Sequence, residues 1–138
     1  MKFVVDANVL FSALIADSTT RELLIELDHQ YLAPQFVHTE IRNHRSTIED
    51  KSNVSSSTVD ALLDALFDEL ALINDSDLKP YMDTAYAAIG DDDEDDVPYL
   101  AAALATNAAV WSDDSVFEKQ STVEAYTTER MVSEFELP

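Results

Sequence analysis

The sequence predicts an α/β protein with a mostly parallel sheet of roughly five strands. Three observations carry this. Short runs rich in β-branched and aromatic residues alternate with helix-length amphipathic segments along the whole chain, the pattern of βαβ units. The first such run, Phe3-Val4-Val5, stops at Asp6, and apolar residues then resume at helical spacing from Val9 to Ile15. The 138 residues, 46% of them apolar, show no internal repeat and no linker between two cores, so residues 1–138 form a single domain.

Each element has its own justification. Lys2–Val5 is a buried strand, and Asn8–Ala16 and Thr20–Leu27 read as helices. Tyr31–Ala33 is a short second strand. Pro34 then opens a helix, a position where proline is well tolerated, with Val37, Ile41, His44 and Ile48 on one face. Lys51–Ser57 is a polar connection. Val59, Leu62, Leu63, Leu66 and Phe67 give the stripe of an amphipathic helix, and Ala71–Ile73 is a third strand. Pro80–Ala88 is a helix stopped by Gly90, the only glycine in the chain. An acidic run leads to Pro98 and an alanine-rich helix, Tyr99–Thr106. Ala109–Trp111 is strand four, Val123–Tyr126 strand five, and Thr128 caps a last helix through Phe135.

Four carboxylates stand at comparable places in this order. Asp6 ends strand one, Glu40 lies on the helix after strand two, Asp96 precedes the alanine-rich helix, and Asp114 follows strand four. In a doubly wound sheet such positions converge at a switch point. Two carboxylates about 4 Å apart repel by roughly 4 kcal/mol at an effective dielectric near 20. A converging set therefore needs protons or a cation. No Lys or Arg adjoins Asp6, Asp96 or Asp114, and Arg42 is turned away from Glu40. An all-oxygen donor set without thiolates suits Mg²⁺ or Mn²⁺, which lowers the pKa of bound water and stabilises charge on a phosphoryl group. The same residues also have plainer roles. An aspartate at a helix start is commonly a cap, Ser112-Asp113-Asp114-Ser115 also reads as a turn, and Glu40 also reads as a solvated helix residue. The run Asp91–Asp95 lacks the spacing of an EF-hand and reads as a solvated loop, with Asp93 a candidate outer ligand.

The ordered set resembles the PIN domain nucleases, the family that includes VapC-type toxins. The stretches VVDANVLFSAL, APQFVHTEIRNH, DDDEDDVPYLAAALA and AVWSDDSVF resemble its four motifs in the right order, and VEAYTTERMVSEF resembles its last strand and helix. The resemblance implies a PIN-like three-layer α/β/α sandwich with a twisted sheet and a central first strand. It implies that Asp6, Glu40, Asp96 and Asp114 are the catalytic, metal-binding acids and that Asn8 and Ser112 support them. Asp113 stands where the family often has Asn or Gly, and either adds an outer ligand or faces solvent. The implied reaction is Mg²⁺- or Mn²⁺-dependent hydrolysis of single-stranded RNA.

Two other classes of function stay in view. One is a catalytically silent PIN-like module that regulates a protein or RNA partner. The other is a receiver domain, for which Asp75 is suitably placed but the lysine expected after strand five is missing. The apolar faces of Thr20–Leu27 and Val59–Phe67 are expected either to join the core or to bind an antitoxin or a second copy. No apolar run approaches the roughly 20 residues that span a bilayer. No signal peptide is evident and there is no cysteine, both compatible with a cytoplasmic protein.

The chain carries 28 acidic against 8 basic residues, a formal charge of −20. Basic patches normally supply most nucleic-acid affinity. Here Arg42, His44, Arg45 and Lys51 form the only local concentration, the first three being candidate RNA contacts. His44 also reads as a boundary histidine. RNA binding is thus expected to be weak and to depend on metal and short-range contacts. Such a charge strains a compact state in dilute buffer and is screened near 1 M salt, where the Debye length is about 3 Å. The expectation is a cytoplasm holding molar salt, as in a halophile. Calorimetric melting in 0.1 M and 2 M KCl checks this: the melting temperature rises with salt, and an unchanged value leaves an acidic protein that is merely soluble.

Overall fold

The apolar run at the start of the chain becomes the central strand of the sheet. β1 (Lys2–Val5) pairs in parallel with β2 (Gln30–Pro34) on one side and β4 (Ala109–Trp111) on the other. β3 (Leu70–Ile73) flanks β2, and β5 (Ala125–Tyr126) flanks β4, giving the all-parallel order β3-β2-β1-β4-β5. Phe3, Val4 and Val5 are all fully buried, which a strand reaches only when both faces of its sheet are covered. The structure, a computed structural model, describes residues 1–15 and 19–135.

Helices supply the cover, so the architecture is a three-layer α/β/α sandwich. α1 (Ala7–Ile15) packs against α2 (Thr19–Glu26), α3 (Val37–Asn43), α4 (Arg45–Ser52) and α5 (Ser56–Asp68). α8 (Val97–Thr106) lies across β1, β2 and β4 and packs against α6 (Asp75–Leu78) and α7 (Met82–Ile89). α9 (Thr128–Glu134) closes the chain against β5 and α2. Among the described residues no helix is long and apolar enough to cross a membrane.

The structure departs from the sequence reading at several places. Pro34 ends β2, opposite Ile73, and the helix begins three residues later. The expected face from Val37 to Ile48 is split, because His44 leaves the helical region at φ −106° and ψ 12°. Val37, Ile41 and Ile48 are buried as expected, while His44 is exposed and sets its ring edge-on to Phe11. The connection expected over Lys51–Ser57 shrinks to residues 53–55, since Ser55 caps α5 by accepting from the Thr58 amide. α6 has no counterpart in the sequence reading, and Pro80 sits in a 3₁₀ turn (Lys79–Tyr81) ahead of α7.

Gly90 ends α7 without a left-handed cap, at φ −61°. Its role is spatial: a Cβ there would stand 2.4 Å from the Tyr86 ring. The fifth strand is shorter than Val123–Tyr126 because the Gln120 side chain bonds the backbone N–H and C=O of Val123 and holds it in a loop. The last helix is capped by Thr127, whose hydroxyl accepts from the Arg130 amide, and not by Thr128. The far end of the first helix, expected at Ala16, lies outside the described residues.

The chain runs outward from β1 to β3 and then returns across β1 to β4. The reversal therefore falls between β1 and β4, the place where a crevice opens at the carboxyl ends of the strands.

Candidate functional site

Asp6 follows β1 and is 2% exposed. Its amide donates to the Trp111 carbonyl, which extends the β1–β4 ladder by one residue and fixes the carboxylate at the reversal point. Ser112, equally buried, follows β4 at the same level. Its hydroxyl donates to Asp6 Oδ2 at 2.7 Å and accepts from the Asp114 amide at 3.0 Å, so one side chain ties the two strand ends together. Asp114 Oδ1 in turn accepts from the Val116 amide. It is thus a cap for the 3₁₀ turn Ser115–Lys119, as the plain reading allowed, and also a member of the acidic group.

Asp96 differs. It sits at the N-cap of α8 yet its side chain caps nothing, and its Oδ2 is buried without a hydrogen-bond partner. One ligand oxygen each from Asp93, Asp96 and Asp114 lies within 4.8 Å of the others. The tight triple thus contains Asp93, a candidate outer ligand in the sequence reading. Asp93 reaches it because its Oδ1 accepts from the Asp95 amide and folds the acidic loop into a 3₁₀ turn at the start of α8. Asp6 lies beside the triple and feels the charge of Asp114, while Glu40 acts on Asp6 and itself feels the charge of Asp95.

Burial and mutual repulsion set the protonation of these groups. Burial first, then the charges of Asp114 and Glu40, push Asp6 up to about 6, against a lowering by the Ser112 hydroxyl. Asp96 is pushed well above the ordinary carboxylate range by burial first, then by the adjacent Asp114 carboxyl and the charges of Asp6 and Asp93. Among the described residues, the main charges acting on Asp6 and Asp96 are negative. Glu40 is raised by burial, a shift moderated by the Tyr99 hydroxyl, which donates to Glu40 Oε1 at 2.7 Å. Burial and that bond raise Tyr99 in turn, so it remains the donor.

Tyr99 was missed as a site residue in the sequence, where it read only as part of a helix. Two signals point to it. It stands three residues after Asp96, hence on the same side of α8, and a buried tyrosine hydroxyl requires a partner.

The other sequence candidates fall elsewhere. Asp113 neither joins the acidic group nor merely faces solvent. Its two oxygens accept from the Thr128 amide and hydroxyl at 2.7 and 2.8 Å, fastening the start of α9, and Thr128 also accepts from Trp111 Nε1. Asn8 is exposed on α1, and its side chain makes no hydrogen bond among the described residues. Arg45 is engaged by Glu49, Asp60 and Ser56, which ties α4 to α5. His44 lies close enough to Glu40 to favour its ionised form, and Arg42 is exposed with no ion pair among the described residues.

A model of the PIN domain family matches residues 4–136. The chain belongs to the PIN domain family. Membership implies, in general terms, nuclease-type hydrolase chemistry and use of divalent metals. No curated protein matches this PIN domain. Among solved structures, the crystal structure of VapBC2 from Rickettsia felis bound to a DNA fragment from their promoter contains a chain with the same fold. The two superpose with a TM-score of 0.70 over 92% of this chain and 98% of that chain, at 16% identity.

The residues of this PIN domain fit a divalent cation. The donors are all carboxylate oxygens, one of them is buried without a partner, and no positive charge already balances them. Without a cation, Asp6 and Asp96 hold protons more tightly in the fold than in the unfolded chain, where the ordinary value is 3.8. The unfolded state then gains from ionisation first. Their contribution to stability therefore falls as pH rises from about 3.8, levels off above about 6 for Asp6, and keeps falling higher for Asp96. Urea unfolding in chelator checks this. Asp96→Asn has the higher midpoint at pH 8 and its advantage shrinks towards pH 4; a wild type equally or more stable at pH 8 contradicts the assignment.

Proposed function

We propose that this PIN domain is a metal-dependent endoribonuclease that hydrolyses phosphodiesters of single-stranded RNA. The observation that carries the reading is the buried, unpartnered Asp96 oxygen facing Asp93 and Asp114. Asp93, Asp96 and Asp114 would hold the cation, with Asp6 beside them. A bound Mg²⁺ or Mn²⁺ supplies charge for the phosphoryl oxygens and a water of lowered pKa.

The chain's own residues do the rest. Ser112 holds the Asp6 carboxylate at one orientation, and Tyr99 does the same for Glu40. Glu40 is half-buried with a raised pKa, so it is suited to take the proton from an attacking water or to return one to the leaving oxygen. In the balanced reaction one water adds across one P–O bond. One product keeps the phosphate and the other gains a hydroxyl.

A place as the toxin of a toxin–antitoxin pair, with an antitoxin as protein partner, is supported by the fold shared with the VapBC2 chain. Homodimerisation remains part of the proposal only as an available use of exposed apolar side chains such as Ile25 and Val132.

Cleavage of single-stranded RNA in molar KCl with Mn²⁺ tests the reading. Asp6→Asn and Asp96→Asn are expected to lose about a hundredfold or more in rate, the scale of several kcal/mol of charge stabilisation. Equal activity in the wild type and both variants, or none in any of them, overturns it; inactivity throughout favours the silent regulatory module.

A further inference from the structure

A second cavity adjoins the acidic crevice. Its volume is about 480 Å³, within the roughly 300–1,000 Å³ of small-ligand pockets. Phe36, Leu78, Met82 and Pro98 give it apolar walls, with Ser76 and Lys79 on its polar edge. Two of those walls grow from the helices that carry the acids. Phe36 directly precedes α3, and its carbonyl accepts from the Glu40 amide at 3.2 Å. The Phe36 ring packs 5.6 Å from the ring of Tyr99, whose hydroxyl holds the Glu40 carboxylate. Pro98 stands two residues after Asp96, in the first turn of α8. The cavity is thus joined to the carboxylates through the Phe36–Tyr99 contact behind Glu40.

We propose that this cavity is a nucleobase subsite, taking one unpaired base of the strand whose phosphodiester lies at the acidic group. The inference rests on the nuclease reading and deepens it. A flat ring with a polar rim matches a pocket with an aromatic side chain, aliphatic walls and one polar edge. Ser76 offers a hydroxyl to the rim of a base, and Asp75 on the same edge offers an acceptor for an exocyclic amino group. Lys79, exposed and without an ion pair among the described residues, is free to meet a neighbouring phosphate.

The charge of the chain favours such a subsite. At a formal −20, phosphate neutralisation contributes little to affinity, and stacking is the attraction that molar salt leaves in place. A base held in a duplex cannot enter a pocket of this kind, so the subsite also selects for single strands.

Fluorescence anisotropy with a short 2′-O-methyl oligonucleotide, which resists hydrolysis, tests the subsite in 2 M KCl with Mg²⁺. Phe36→Ala is expected to weaken binding about ten- to a hundredfold, the value of one base–aromatic stack. Ser76→Trp fills the pocket from an exposed position and is expected to do the same in a folded protein. An abasic site at one position of the oligonucleotide should cost the wild type a similar factor and cost Ser76→Trp nothing further. Unchanged binding by Ser76→Trp, abasic losses equal in both proteins, or no binding by the wild type overturns the subsite. Unmodified RNA with Mn²⁺ separates the two readings: an abasic effect without hydrolysis removes the nuclease and leaves the subsite, and hydrolysis without it does the reverse.

Discussion

Repulsion among carboxylates is the constraint on which the site of this PIN domain turns. Asp6 and Asp96 are buried at the ends of different elements, and among the described residues the main charges that reach them are negative. A buried anion without a partner is costly, and removing it from solvent makes each neighbouring anion costlier. The fold holds the group together anyway, because the backbone fixes it. The Asp6 amide is bonded into the β1–β4 ladder, and Asp96 is anchored where α8 begins. In the proposed reading, the cost is met by protons when no metal is bound and by a divalent cation when one is. On that reading the acids form a preorganised receptor whose occupancy is linked to pH.

A small number of neutral groups turns this receptor into a directed site. Ser112 bonds Asp6 and the Asp114 backbone at once, and Tyr99 bonds Glu40 across 59 residues of sequence. Neither carries charge, so neither competes with a cation. Farther out, Asp113 and Trp111 meet on Thr128 and hold α9 to the end of β4. Two adjacent aspartates thus do different work: Asp114 faces the acids and Asp113 fastens the scaffold.

Much of this was legible in the sequence. The β1 run, the amphipathic stripe from Val59 and the alanine-rich helix announce their elements through periodicity, and parallel pairing follows from their alternation. Asp6 was legible because a carboxylate directly after a buried strand needs a reason. What was not legible depends on three-dimensional proximity. Asp93 reads in the sequence as an outer ligand candidate, but its place in the tight group depends on a local 3₁₀ turn that spacing does not show. Tyr99 needed the fold to bring it to Glu40. Arg45 looked like a phosphate contact because sequence adjacency hid Asp60, which lies on the next helix. α6 is a single turn, too short for periodicity to register, yet it supplies a wall of the cavity beside the acids.

The central claim is that a divalent cation replaces protons on the buried acids. Calorimetric titration of Mg²⁺ or Mn²⁺ into the metal-free wild type at pH 7.5, repeated in buffers of different ionisation enthalpy, tests it most directly. The account predicts saturable binding with release of about one proton per ion, since Asp96 enters the titration protonated. Binding without proton release, or no binding, would contradict it.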